Sequence, residues 1–379
     1  MRTARLLPHL ATCDRAPILP PDIYYVYIIV TGSVIAPRNP PNAKPTIKEV
    51  ARRAGVALSS VSRVLNDHPD VSENMRSRVL EAIAELGYEP NLLAASLRRG
   101  SSRMIGFIVP DLRNPLFGSI VTAAQDGLSQ QGYAAVITTS SSDADRDADM
   151  ARLLRHRQVD ALIVSLADQT REDLIEELRR FRGPIVLLDR EVDGLEDASI
   201  VETDHGSGME QATRHLLSLG HERVALLTGS LQVRPSAQRV QAFREAYRQS
   251  ALPYPEDLVR PVGFAPEFGE RSTVELLRRP SPPTALIVGS NQLLTGVLRS
   301  LRRLGIRPGV DIAVVSCDDV PLSELHNPPI TVIDRDVTEI GSSAARLALE
   351  RLNNPDTPPR RVVLPTTLVL RDSTHSPHG

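Results

Sequence analysis

The spacing of apolar residues changes along this chain, and each change marks a part of it. Residues 46–66 read TIKEVARRAGVALSSVSRVLN. Ile47, Val50, Ala51 and Ala54 recur at i, i+3, i+4 and i+7, which lines one face of a helix. Thr46-x-x-Glu49 at its start has the form of a capping box, in which each side chain satisfies a free backbone N–H. Gly55-Val56-Ala57 breaks the period after two turns. A second short helix then carries Val61, Val64 and Leu65 on one side and Ser59, Ser60, Arg63 and Asn66 on the other. A third starts after Ser72, a favourable N-cap, buries Met75, Val79, Ala82, Ile83 and Leu86, and stops at Gly87 in a left-handed turn. Beyond Pro90 the stretch NLLAASLRRG offers Asn91 as a cap and Leu93 and Leu97 one turn apart.

From Met104 the pattern becomes one of short apolar runs alternating with amphipathic stretches. MIGFIV, YAAVIT, ALIVS, PIVLLD, VALLTG, TALIVG and IAVVS are rich in β-branched residues and apolar on both faces. Such runs suit parallel strands covered by helices on both sides. Ligands in sheets of that kind bind beyond the carboxyl ends of the strands. Polar residues follow several of the runs: Asp111 and Asn114, Asp189, Asp204, Ser290-Asn291, and Asp318-Asp319. No glycine-rich phosphate loop opens any of the helices.

Two short helices joined by a three-residue turn containing glycine form a helix-turn-helix, whose second helix lies in the DNA major groove. Taken alone, the pair could equally be an αα-hairpin that only packs. The match extends further. Thr46-Ile47, Glu49-Val50-Ala51, Ala54-Gly55-Val56, Val61 to Asn66, Val71-Ser72, Arg76, Arg78-Val79, Ala82-Ile83, Leu86-Gly87-Tyr88 and Pro90-Asn91 resemble the headpiece of the lactose/galactose-repressor family of bacterial regulators. The resemblance runs on to about Asp372. It takes in Val109-Pro110-Asp111-x-x-Asn114-Pro115-x-Phe117, the stretch from Asp204 to His221, Arg239-x-x-x-Phe243, and Val315 to Asp319.

The fold this implies is α/β: an all-α helix-turn-helix headpiece over 45–90, a hinge helix and linker over 91–103, and a core over 104–372. The core consists of two Rossmann-like subdomains similar to periplasmic sugar-binding proteins. One spans about 104–201 plus 332–360 and the other about 204–329 plus 362–372, with crossings near 202, 330 and 361 and a tail over 373–379. For DNA, the resemblance makes Leu58 and Ser59 the base-reading pair, leucine meeting a thymine methyl. Arg63 can pair bidentately with guanine. Thr46, Ser60 and Asn66 are assigned to phosphates, which position without specifying. Asn91, Ala94 and Leu97 correspond to the hinge, whose leucine wedges into the minor groove; an ordinary linker is the alternative. Ala57 stands where the family has a capping serine, a role that Ser59 could take over slightly later.

For the effector, the resemblance points to Asn114, Leu116, Phe117, Asp204, Arg239, Asn291 and Asp318. Arg239 and Asp318 are the strongest candidates, although the two could instead form a structural ion pair. Leu116 replaces one of the family's paired aromatics, His205 stands where Asn is usual, and Gln292 replaces Asp. Ser316 and Cys317 replace glycine and an aromatic. With no Trp and few other aromatics, stacking of a sugar ring is poorly provided for. The implied partners are a pseudo-palindromic double-stranded DNA operator, a small-molecule effector and a second copy of the chain. No cofactor, metal or membrane is implied.

Charge and composition agree with this division. The 379 residues carry a net charge of -2. Residues 1–100 hold 13 Lys+Arg against 9 Asp+Glu, or +4, which leaves -6 for the rest. Two cysteines, Cys13 and Cys317, imply no disulfide framework and suit a reducing cytoplasm. The apolar run Ile23–Val30 is too short to span a bilayer. Residues 1–44 are expected to be a disordered appendage or an over-extended start, since the resemblance begins only near Pro45. Metal-spaced His/Cys clusters and a nucleophile elbow are both missing, which leaves an enzyme little support. A solute-binding protein without DNA function, and a transcriptional activator of the same family, are the alternatives to a repressor.

Overall fold

The computed structural model describes residues 27–28, 45–65, 68–88, 100–140 and 143–377. Three helices come first: α1 (Ile47–Ala54), α2 (Leu58–Leu65) and α3 (Glu73–Leu86). Thr46 and Glu49 close the capping box at the start of α1. Gly55 ends that helix in the left-handed region, φ 63°, where a side chain would be strained and would also meet Arg78. Val50, Ala51, Ala54, Val61, Val64, Val79 and Ala82 form a small core of their own. Arg78 on α3 donates to the carbonyls of Ala54 and Gly55, pinning the turn between the first two helices.

The remaining strands make two sheets. In the first the order is β1-β3-β2-β4-β5-β6-β12, all parallel: β1 (Tyr27–Ile28), β2 (Met104–Val109), β3 (Ala134–Thr139), β4 (Ala161–Val164), β5 (Ile185–Leu188), β6 (Ser199–Thr203) and β12 (Arg361–Leu364). In the second the order is β13-β11-β10-β9-β7-β8: β7 (Val224–Thr228), β8 (Val259–Pro261), β9 (Ala285–Val288), β10 (Ala313–Cys317), β11 (Thr331–Arg335) and β13 (Thr366–Val369), where only β13 runs antiparallel. Helices cover both faces of each. α4 (Pro115–Gln130) and α12 (Val337–Asn353) pack on one side of the first sheet, and α5 (Ala144–His156) and α6 (Glu172–Arg179) on the other. α7 (His205–Ser218) and α8 (Arg234–Gln249) cover one side of the second, and α9 (Pro266–Leu277) and α10 (Asn291–Leu304) the other, with the short α11 (Pro321–Leu325) following β10. α9 and α10 approach so closely that a Cβ on Gly296 would strike the Pro266 carbonyl.

The chain passes between the sheets three times: between β6 and α7, between β11 and α12, and between β12 and β13. β11 therefore belongs to the second sheet, and α12, which follows it, to the first. The stretch after Asp372 is no loose tail. Ser373 is fully buried, its hydroxyl accepts from the Thr331 N–H and its carbonyl from the Val314 N–H, so it extends the second sheet. Of residues 1–44, only Tyr27 and Ile28 are described; they pair with Val136 and Ile137 at the edge of the first sheet.

Candidate functional site

On the headpiece, α2 buries Val61 and Val64 and turns Leu58, Ser59 and Arg63 outward, with Ser60 half-buried between them. An exposed guanidinium beside two small hydroxyls and a leucine, on a helix whose apolar side packs against α1 and α3, can reach base edges in a major groove. Thr46 closes the capping box at the start of α1, with its hydroxyl bonded to Glu49 at 3.0 Å. Ser59 does not replace the missing cap. It lies inside the first turn of α2, and the N–H groups of Ser60 and Val61 turn back to the Ala57 carbonyl. Asn66, Asn91, Ala94 and Leu97 lie outside the described residues.

In both sheets the strand order reverses near the middle, at β2/β4 in the first and β7/β9 in the second. These are the switch points where ligands of such sheets bind. The carboxyl edges of both sheets border one cleft, an outer part of about 730 Å³ opening above an inner cavity of about 80 Å³. Asn114 caps α4 by accepting from the Leu116 N–H at 3.1 Å, and the same oxygen accepts from the Asn291 side chain at 2.9 Å across the cleft. Gln292 donates to Asp111 beside it. Leu116 and Phe117 line the inner cavity, as do Arg239 and Asp318.

Arg239 and Asp318 are not paired with each other. Asp318 instead accepts from Arg335 at 2.9 Å, and Arg335 also binds Asp189. Both aspartates follow a strand, β10 and β5, in the left-handed region, with φ 69° and 52°. Such backbone is costly for a residue with a side chain and persists only where surroundings enforce it. Arg239 donates to His205 Nδ1 at 3.1 Å, which leaves the ring proton on Nε2, 3.4 Å from Asp189. Burial pushes His205 down to about 4, so the ring is neutral at pH 7. Burial alone would raise the Asp189 carboxyl, but His205 and Arg335 together hold it well below the usual range. Since His205 is neutral, Arg335 carries most of that effect near pH 7.

Asp204 is corrected from ligand contact to helix cap. Its carboxylate accepts from the Gly206 and Ser207 N–H groups at the start of α7 and lines neither part of the cleft. Arg190, Arg335 and Phe264 are among the lining residues that the sequence reading does not single out. A signal for the first two was present, because β5 and β11 both run into Asp-Arg, at Asp189-Arg190 and Asp334-Arg335. Phe264, on the loop between β8 and α9, borders both parts of the cleft and lies against Gly229, so an aromatic ring is provided after all.

Comparison with known proteins finds matches in both the headpiece and the core. Residues 46–91 match the model of bacterial regulatory proteins of the lacI family, and residues 213–374 that of a periplasmic binding protein-like domain. The chain is 30% identical over 330 residues to the ribose operon repressor of Escherichia coli K12, covering 86% of this chain and 99% of that one. Among solved structures it resembles the Lac repressor dimer bound to operator and the anti-inducer ONPF, with TM-score 0.77, 27% identity, and 88% and 100% of the two chains covered. It also resembles the transcriptional regulator CelR in complex with cellobiose, with TM-score 0.66, 31% identity, and 87% and 99% covered. The likeness thus extends along nearly the full length of these relatives, and the chain belongs to the LacI family of bacterial transcriptional regulators.

Proposed function

We propose that this chain is a cytoplasmic repressor that binds a pseudo-palindromic operator as a homodimer and is switched by a small molecule in the cleft. The observation that carries the reading is the pairing, on one chain, of an exposed polar face on α2 with a cleft clasped by Asn114–Asn291 and Asp111–Gln292. A ligand that touches both lips binds the closed core more tightly than the open one, and only such differential affinity can shift an equilibrium. The solved relatives named for operator DNA and for cellobiose support both halves of the reading. In this scheme Leu58, Ser59 and Arg63 read bases, Thr46, Ser60 and Asn66 hold phosphates, and Asn91, Ala94 and Leu97 form the hinge. Asn114, Leu116, Phe117, Arg239, Asn291 and Asp318 meet the effector. No catalytic step and no cofactor enters it.

The test is selection of bound sites from random DNA with the full chain, followed by a metabolite screen against the resulting complex. An inverted repeat whose affinity falls steeply with salt, and a metabolite that changes that affinity, are expected. Uniform, sequence-independent binding would remove the operator half of the reading. A metabolite that binds without changing DNA affinity would leave a solute-binding protein.

A further inference from the structure

Where the chain enters the core from the headpiece, it is caught by a single carboxylate, that of Asp160. Asp160 directly precedes β4, and residues 101–103 directly precede β2, its neighbour in the middle of the first sheet. One carboxylate oxygen accepts from the Ser102 N–H at 2.8 Å and from the Ser102 hydroxyl at 2.9 Å. The other accepts from the Arg103 N–H at 2.9 Å and from the Ser101 hydroxyl. Two ionised oxygens offer about four lone-pair sites, so the group is fully used, and bonds to a charged acceptor are strong ones. The Asp160 N–H completes the clamp by donating to the Met104 carbonyl at 2.7 Å. Arg103 enters β2 in the left-handed region, φ 57°, which a residue with a side chain keeps only where its surroundings enforce it. They do so here. Its guanidinium lies 4.9 Å over the Tyr133 ring and donates to the Gln131 carbonyl at 3.1 Å, while its own carbonyl accepts from the Ala134 N–H. The clamp stands at the amino ends of β2 and β4, whereas the cleft lies beyond their carboxyl ends, where Asp111 and Ser165 line it.

We infer that Asp160 is a positioning residue for operator binding: it fixes the point and direction at which the linker to the headpiece leaves the core, and so the half-site separation that the dimer accepts. The inference rests on the reading of the chain as a dimer that binds an inverted repeat. Such a dimer grips two half-sites at a separation set by where its two headpieces stand. The strand itself does not need the clamp, because β2 is paired along its length by β3 on one side and by β4 on the other. What Asp160 adds is a hold on the residues ahead of the strand. Each residue released there adds at most about 3.5 Å of reach, close to the roughly 3.4 Å that separates successive phosphates of one strand along the duplex axis. Freeing Ser101, Ser102 and Arg103 of one protomer is therefore worth up to about three base pairs of spacing.

The test is selection of bound sites from random DNA with the full chain, with Asp160→Ala and with the double variant Ser101→Ala/Ser102→Ala, with Tm measured beside each. The wild type is expected to return an inverted repeat with one half-site spacing. Asp160→Ala is expected to return the same half-site sequence with the spacing spread over about two or three base pairs. The double variant keeps the carboxylate and both backbone donors, so it should fold and spread the spacing by about one base pair. If Asp160→Ala fails to fold, the double variant decides. A spacing as sharp as that of the wild type in the folded variant, with or without a lower Tm, makes Asp160 a structural staple and overturns the proposal while the operator reading stands. A wild type that already tolerates several spacings overturns it in the same way. If the wild type selects no inverted repeat at all, the operator reading falls and the proposal falls with it.

Discussion

Arg335 is the residue on which the cleft depends most. From the end of β11 it ties the carboxylates that follow β5 and β10, so one guanidinium holds both sheets at the cleft. Arg335→Met leaves two buried aspartates facing each other without a cation. A loss of about 3–5 kcal/mol of stability is expected, read from urea unfolding, because breaking a buried pair strands its partner. The Asp189 carboxyl is depressed on folding, so its contribution is complete above the ordinary carboxyl range near pH 4 and disappears only as pH falls through its lower folded value. His205 gives a different window. Its folded value of about 4 lies below the ordinary value of 6.5, so between those limits the unfolded chain binds a proton that the folded one refuses. Stability therefore rises with pH across that interval, and roughly 3 kcal/mol is lost on acidification from pH 7 to 4. His205→Asn should flatten the slope; if wild type and variant show parallel pH profiles of Tm, the ring is not held neutral by burial.

Among the elements, the headpiece shows how a short motif is held together. Gly55 provides the left-handed turn, and Arg78 reaches from α3 to the carbonyls that the turn leaves free. Arg78→Met should cost the headpiece about 1.5–3 kcal/mol, the value of hydrogen bonds made by a charged donor. Amide exchange would register this as lost protection in α1 and α2, with β2 to β5 unchanged. On α2, Arg63→Ala should remove preference at one base position per half-site, worth about 1–3 kcal/mol, while phosphate contacts keep general affinity. Repeating the site selection with the variant checks this; an unaltered base profile would take Arg63 out of the readout. The helices themselves were legible because apolar spacing and caps are local. Whether Ser59 could serve as a cap was not legible for the opposite reason: whether a residue stands before a helix or inside its first turn depends on where the turn ends.

For the molecule as a whole, residues 1–44 precede the stretch that matches the family's headpiece, and of them only Tyr27 and Ile28 are described, paired with the edge of the first sheet. Deleting residues 1–43 should leave operator affinity within about twofold and move the core Tm by no more than a few degrees, since so short an edge pairing contributes little. Gel-shift titration beside calorimetry measures both, and a large loss of specific binding would make the extension part of the working protein. The clasp across the cleft predicts a further effect. Asn291→Ala removes one buried hydrogen bond that bridges the lips and should weaken effector binding about fivefold, since that bond is worth about 1 kcal/mol.

The residue pattern alone establishes the order of the parts. A 3.6-residue apolar period gave three headpiece helices, and two-sided β-branched runs gave the strands of the parallel sheets, because burial of apolar surface acts on neighbouring positions. It also located the cleft, since polar residues at strand ends sit where such sheets bind ligands. The pairings inside that cleft were set by packing. Asp318 pairs with Arg335 rather than with Arg239, Asp204 became a cap, and Arg239 bonds the His205 ring. These partners are separated by up to 146 positions, as between Asp189 and Arg335, and no local pattern ranks one arginine above another. Which charge is answered depends on distances of a few ångströms set by how β5, β10 and β11 end, and those distances exist only once both sheets have packed.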